Sequence, residues 1–132
     1  MSENQGEVYF ALMGDDVDPD LITRKLGITP SEISRKGVPI PKFDSWRLST
    51  GKLSAGCVDV YAMAEQIVAV LLPKAEEIQD LIRKYNLTAY LNVVLIFAND
   101  EHTSTPAIGF SRDIIQFLAK VDAAIDVDTY VG

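Results

Sequence analysis

The run LTAYLNVVLIFAN, from Leu87 to Asn99, constrains the fold more than any other stretch of the chain. Successive side chains of a strand point to opposite faces, so Ala89, Leu91, Val93, Leu95 and Phe97 fall on one side and Thr88, Tyr90, Asn92, Val94, Ile96 and Ala98 on the other. The first side is wholly apolar and belongs under helices. The second mixes Thr, Tyr and Asn with Val and Ile, the mark of a face only partly hidden from water or covered by a partner. A strand of this kind is the central strand of a two-layer domain, one sheet against one layer of helices.

The flanking segments supply the helices and further strands. Val8 to Met13 reads as a short buried strand ended by Gly14 and the carboxylates Asp15 and Asp16. A helix follows: Asp18 can accept from the free N–H groups of its first turn, Pro19 suits the first helical position, Asp20 complements the positive end, and Gly27 closes it in the left-handed conformation. Thr29, Pro30 and Glu32 repeat the start signal, but Gly37, Pro39 and Pro41 leave room for a turn or two only, so the segment to Phe43 is expected to be mostly loop. Trp46 and Leu48 alternate with Ser45, Arg47 and Ser49, a weak strand. Asp59 caps a helix with Val60, Met63, Ile67, Val70 and Leu71 inward; Pro73 must bend or restart it; Ile78, Leu81, Ile82 and Tyr85 continue the stripe to a stop at Asn86. After the long strand, Ala107 to Phe110 is expected to return as the second strand of a hairpin. Ser111 caps a last helix with Ile114, Phe117, Leu118 and Val121 inward, and Ile125, Val127, Thr129 and Val131 alternate with Asp126, Asp128 and Tyr130 in a half-exposed closing strand.

From Trp46 onward this order is strand, helix, strand, strand, helix, strand. It predicts an α+β two-layer sandwich, a mainly antiparallel sheet with helices on one face, built as a ferredoxin-like βαββαβ core with an extra N-terminal strand and helix. A hydrophobic content of 48% over 132 residues is enough for one core, so residues 1–132 are expected to form a single domain, with the polar residues 1–6 outside its ordered body.

The first of those helices carries a motif. Gly14, Asp15, Asp16, Asp18, Pro19, Ile22, Thr23, Leu26, Gly27 and Pro30, within GDDVDPDLITRKLGITP, followed by Lys36 and Gly37, by Trp46 and by the tail IDVDTYV, resemble the bacterial family of domain of unknown function 4279. The resemblance covers nearly the whole chain. It implies a small intracellular bacterial protein and brings no catalytic residue. Read physically, most of the motif is the start, inward face and end of one helix.

Charge narrows the functional classes. A net charge of −7 disfavours a general role in coating nucleic acid or an anionic membrane, and no apolar run is long enough to span a bilayer. The acidic N-terminus MSENQGE has no apolar core of a secretory signal, and Cys57, the only cysteine, can form no internal disulfide, which fits a reducing cytoplasm. Charge is unevenly spread: between Arg24 and Lys52 lie seven basic residues against Glu32 and Asp44, a net of +5, leaving −12 for the rest of a chain whose total is −7.

Three clusters invite a chemical reading. Asp15, Asp16, Asp18 and Asp20 could hold a hard cation, but in an EF-hand register Leu21 would stand where Gly is needed and Gly27 where the bidentate Glu is needed, whereas capping and the helix dipole account for Asp18 and Asp20. His102, the only histidine, has Asp100 and Glu101 beside it but no second imidazole, so no metal site is expected. Ser45, Ser49 and Ser54 sit in no nucleophile elbow, and Walker, dinucleotide and RRM signatures are absent.

The expectation is a non-enzymatic cytoplasmic protein–protein interaction module, without cofactor, pairing with itself as a homodimer or covering an unidentified partner protein as an immunity protein does. The rival is a small anionic-ligand or phosphate-binding domain in which Arg35, Lys36, Trp46 and Arg47 converge with Asp15 or Asp16 nearby.

Overall fold

The computed structural model describes residues 3–55, 58–99, 103 and 105–132. Its strands are Asn4–Gly14 (β1), Glu32–Ser34 (β2), Asp44–Ser49 (β3), Leu53–Ala55 (β4), Thr88–Phe97 (β5) and Ala124–Val131 (β6); its helices are Pro19–Leu26 (α1), Val60–Leu71 (α2), Ala75–Tyr85 (α3) and Arg112–Lys120 (α4), with a 3-10 turn at Leu72–Lys74. The sheet runs β2-β3-β1-β5-β6, and β4 pairs with the half of β1 that β3 leaves free. Every pairing is antiparallel except β5 with β6, which is parallel. The protein is therefore an α+β domain on a mixed open sheet.

Alternation dictates the layers. Leu12 stands opposite both Trp46 and Ala89, and Phe10 opposite both Leu48 and Leu91, so the even residues of β1 and β3 and the odd residues of β5 share one face. Val8, Phe10, Leu12, Trp46, Leu91, Val93 and Leu95 are each fully buried there, in one cluster with Ile22 and Leu26 of α1, Leu71 of α2, Ile78 of α3 and Ile114 and Phe117 of α4. Burying a side chain of this size stabilises by about 1.5–3 kcal/mol, so this face carries the fold.

The helix limits follow their capping residues. Asp18 accepts from the Asp20 amide at 3.0 Å, Asp59 from that of Ala62 at 3.4 Å and Ser111 from that of Ile114 at 3.5 Å. Gly27 and Asn86 close α1 and α3 with φ of 67° and 54°. Pro73 lies in the 3-10 turn and separates α2 from α3, the restart its missing donor demands.

Four expectations are corrected. The N-terminal strand is no addition to the core but its middle, paired on both edges; it begins at Asn4, and Gln5 is already opposite Ser54 and Ile96. The helical turn expected after Thr29 is a short strand, β2, which puts Ile33 opposite Trp46 on the helix side. Ala107 to Phe110 forms no strand: Ala107 makes one isolated bridge with Asp59, exchanging hydrogen bonds with Val58 and Val60 at the entry to α2. The chain instead passes from β5 through α4 to a parallel β6, so the hairpin of the expected βαββαβ order is missing. Finally, β6 is exposed on both faces, with Ile125 and Val127 each 40% exposed on the helix side, because it is the edge of the sheet. Among the described residues no helix is long and apolar enough to cross a membrane.

Candidate functional site

The motif after β1 and the loop after β2 meet, and they neutralise one another. Lys36 Nζ donates to Asp15 Oδ1 at 3.0 Å and to the Asp15 carbonyl at 3.2 Å. Arg35 donates to Asp18 Oδ1 at 3.1 Å and to Asp20 Oδ2 at 2.8 Å. The hydrogen bond and charge of Asp15 push the Lys36 pKa up, with a smaller contribution from exposed Asp16. These pairs are open to solvent, which screens them. Beneath them Asp44 is the structural tie: its Oδ1 accepts from the Lys36 amide at 2.7 Å and its Oδ2 from the Val17 amide at 3.1 Å. Among the described residues no three His, Cys, Asp or Glu side chains are placed to share a metal ion.

Trp46 and Arg47, adjacent on β3, point to opposite faces. Trp46 is fully buried, and its Nε1 donates to Thr23 Oγ1 at 3.1 Å, which locks β3 to α1. Arg47 emerges on the face without helices and lies 4.9 Å from the centre of the Tyr9 ring. Of the six candidate residues, Arg35, Lys36, Asp15 and Asp16 thus form one surface cluster, Trp46 belongs to the core, and Arg47 belongs to another surface.

That other surface is a layer of side chains from β3, β1, β5 and β6. Tyr9 stands opposite Ser49 on one side and Asn92 on the other, Asn92 opposite Asp126, and Val94 opposite Asp128. Tyr9 and Tyr90 meet edge to face at 6.4 Å between ring centres. Asn92 Nδ2 donates to the Tyr9 hydroxyl, and the Tyr90 hydroxyl donates to Met13 Sδ at 3.1 Å. Burial, and then Tyr9, push the Tyr90 pKa up; Arg47 opposes them. Next to Arg47 a hollow of about 530 Å³ is lined by Glu7, Tyr9, Arg47, Ser49, Thr50 and Lys52 among others. Ser49 Oγ donates to Glu7 Oε2 at 2.6 Å inside it.

Two polar atoms of this layer are buried without any hydrogen-bond partner, Arg47 Nε and Asn92 Oδ1. The face thus holds one donor and one acceptor, both desolvated, among two tyrosines and a methionine. Cys57 and His102 lie outside the described residues. Tyr9, Asn92 and Asp44 were not singled out by the sequence as site residues. The alternation of Tyr90 and Asn92 on the non-core side of β5 was the signal for this face, while nothing local marks Asp44.

A family model described as Domain of unknown function (DUF4279) matches residues 4–132. No curated protein matches the chain, and no solved structure does.

Proposed function

The chain belongs to the DUF4279 family, and from the geometry of its sheet we propose that it is a non-enzymatic, cytoplasmic protein–protein interaction module whose recognition surface is the helix-free face. The observation that carries this reading is the pair of buried, unpartnered atoms, Arg47 Nε and Asn92 Oδ1, on a face that no helix covers. A buried polar group without a partner costs about 1–3 kcal/mol, and since both atoms are sealed from solvent, a partner would supply the missing bonds only as the side chains over them shift. The neighbouring side chains are of the type enriched at the centres of protein interfaces: Tyr9 and Tyr90, Met13 and Arg47. Small size and a net charge of −7 support a protein that covers one partner, as immunity proteins do.

The anionic-ligand reading keeps one supporting observation, the hollow beside Arg47 and Lys52. Arg35 and Lys36 speak against it, since their charges are taken up by Asp15, Asp18 and Asp20. Affinity capture from the native cell, comparing the wild type with a folded Tyr90→Glu variant, tests the choice. A protein lost from the variant supports the module. Thermal stabilisation by a phosphate or carboxylate metabolite that Arg47→Ala abolishes, with no protein captured, overturns it.

A further inference from the structure

The two flanks of the face differ in charge. On β3 stands Arg47, which shares its hollow with Lys52 and with the carboxylates Glu7 and Glu32; across the sheet, on β6, stand Asp126 and Asp128 with no basic residue beside them on that strand. Between them β1 and β5 contribute Tyr9, Tyr90, Asn92 and Val94. In the β1–β3 register Arg47 is opposite Ala11, but its guanidinium leans over the Tyr9 ring, which brings the charge into the row Tyr9, Asn92, Asp126. Glu32, opposite Arg47 on β2, lines the same hollow but forms no ion pair with it among the described residues.

Resting on the reading of this face as a recognition surface, we propose that its occupant is a second copy of the same chain. Two copies pack face to face about a two-fold axis that runs along the strands between β1 and β5. That rotation exchanges β1 with β5 and β3 with β6 while keeping every row at its level. Arg47 of each copy then stands over Asp126 of the other, one row from Asp128. Stacked sheets lie about 10 Å apart, a gap that an arginine and an aspartate close between them. An axis across the strands is excluded by the same charges, since it lays Arg47 over Arg47 and the aspartates over the aspartates. The face is about five strands wide and about 25 Å long, roughly 600 Å² per copy, which puts the pair at the small end of stable interfaces.

Light scattering on the eluting full-length chain, from micromolar to submillimolar concentration, reads this directly. The wild type is expected to dimerise, more weakly at high salt because the flanks are charged. Arg47→Glu alone is expected to weaken the dimer by tenfold or more, and so is Asp126→Lys with Asp128→Lys, because each variant sets like charge against like. An equimolar mixture of the two variants restores pairing, since each then meets its opposite at both ends, and the three substitutions in one chain restore the homodimer. Circular dichroism confirms that each variant is folded. A wild type that stays monomeric throughout, a dimer indifferent to Arg47→Glu, or folded variants that remain monomeric when mixed would each overturn the arrangement. A monomeric wild type that still captures a partner lost on Tyr90→Glu sinks the dimer and leaves the interaction module standing, whereas restored pairing in the mixture with no other protein captured sustains both.

Discussion

Replacing Asp44 by alanine separates architecture from ligand chemistry at the motif. Its carboxylate accepts two main-chain amides that belong to different segments, Val17 ahead of α1 at 3.1 Å and Lys36 after β2 at 2.7 Å. Val17 is 4% exposed, so its amide has no ready access to water once the acceptor is gone, a loss of about 1–3 kcal/mol. The Lys36 amide is exposed and turns to solvent at a cost of about 0.5 kcal/mol. Together Asp44→Ala is expected to cost about 2.5 kcal/mol. Unfolding entropy of about 2.1 cal/mol/K per residue over 132 residues makes that a fall of roughly 9 °C in Tm. Asp15→Ala removes only the solvent-exposed ion pair with Lys36 and is expected to leave Tm nearly unchanged. Differential scanning calorimetry of the two variants decides the matter. Equal falls for both, or a fall of less than about 3 °C for Asp44→Ala, would refute the assignment of Asp44 as the tie and Asp15 as surface.

Three further outcomes are expected. Thr23→Val keeps the side-chain shape but leaves the buried Trp46 Nε1 without its acceptor, so urea unfolding should show a loss of about 1–2 kcal/mol with the slope unchanged. Gly27→Ala forces a Cβ into φ of 67° at the end of α1, where no other atom crowds it; the backbone alone should cost about 1 kcal/mol, and Gly27→Asn less. Tyr90 is an acid whose folded pKa lies above the ordinary value near 10, so below that pH both states keep the proton and its contribution is whole, while above it the unfolded chain ionises first and stability falls as pH climbs toward the folded pKa. Tyr90→Phe should flatten that alkaline decline in urea titrations, and an unchanged slope would show that Tyr90 is not its source.

What could be read from the chain alone divides by distance along it. Asp18, Pro19 and Gly27 bound α1 through bonds within a few residues, and such local chemistry is visible in a single sequence. The three-residue strands β2 and β4 are too short for alternation to register, and each exists only because β3 or β1 lies alongside it. Ala107 to Phe110 has strand-like composition, but its main chain is drawn to Val58 and Val60 instead of to β5. The candidate cluster shows the same division. Arg35 meets Asp18 and Asp20, and Lys36 meets Asp15, across 15 to 21 residues, and no spacing rule reports such pairings. The separation of Trp46 from Arg47, by contrast, was readable, because neighbours on a strand point apart; grouping them by charge and aromaticity passed over that geometry.

The two borders of the sheet differ in kind. One is broken into β2 and β4, each of three residues; the other is β6, eight residues without interruption. Since the Gly132 amide binds the Phe97 carbonyl, the alternate residues Ile125, Val127, Thr129 and Val131 turn their amides and carbonyls outward. Only one border can template another strand, so growth through it stops at a pair and cannot run on into a fibre. Even that pair is resisted, because an antiparallel match centred on Val127 sets Asp126 against Asp128 of the other copy.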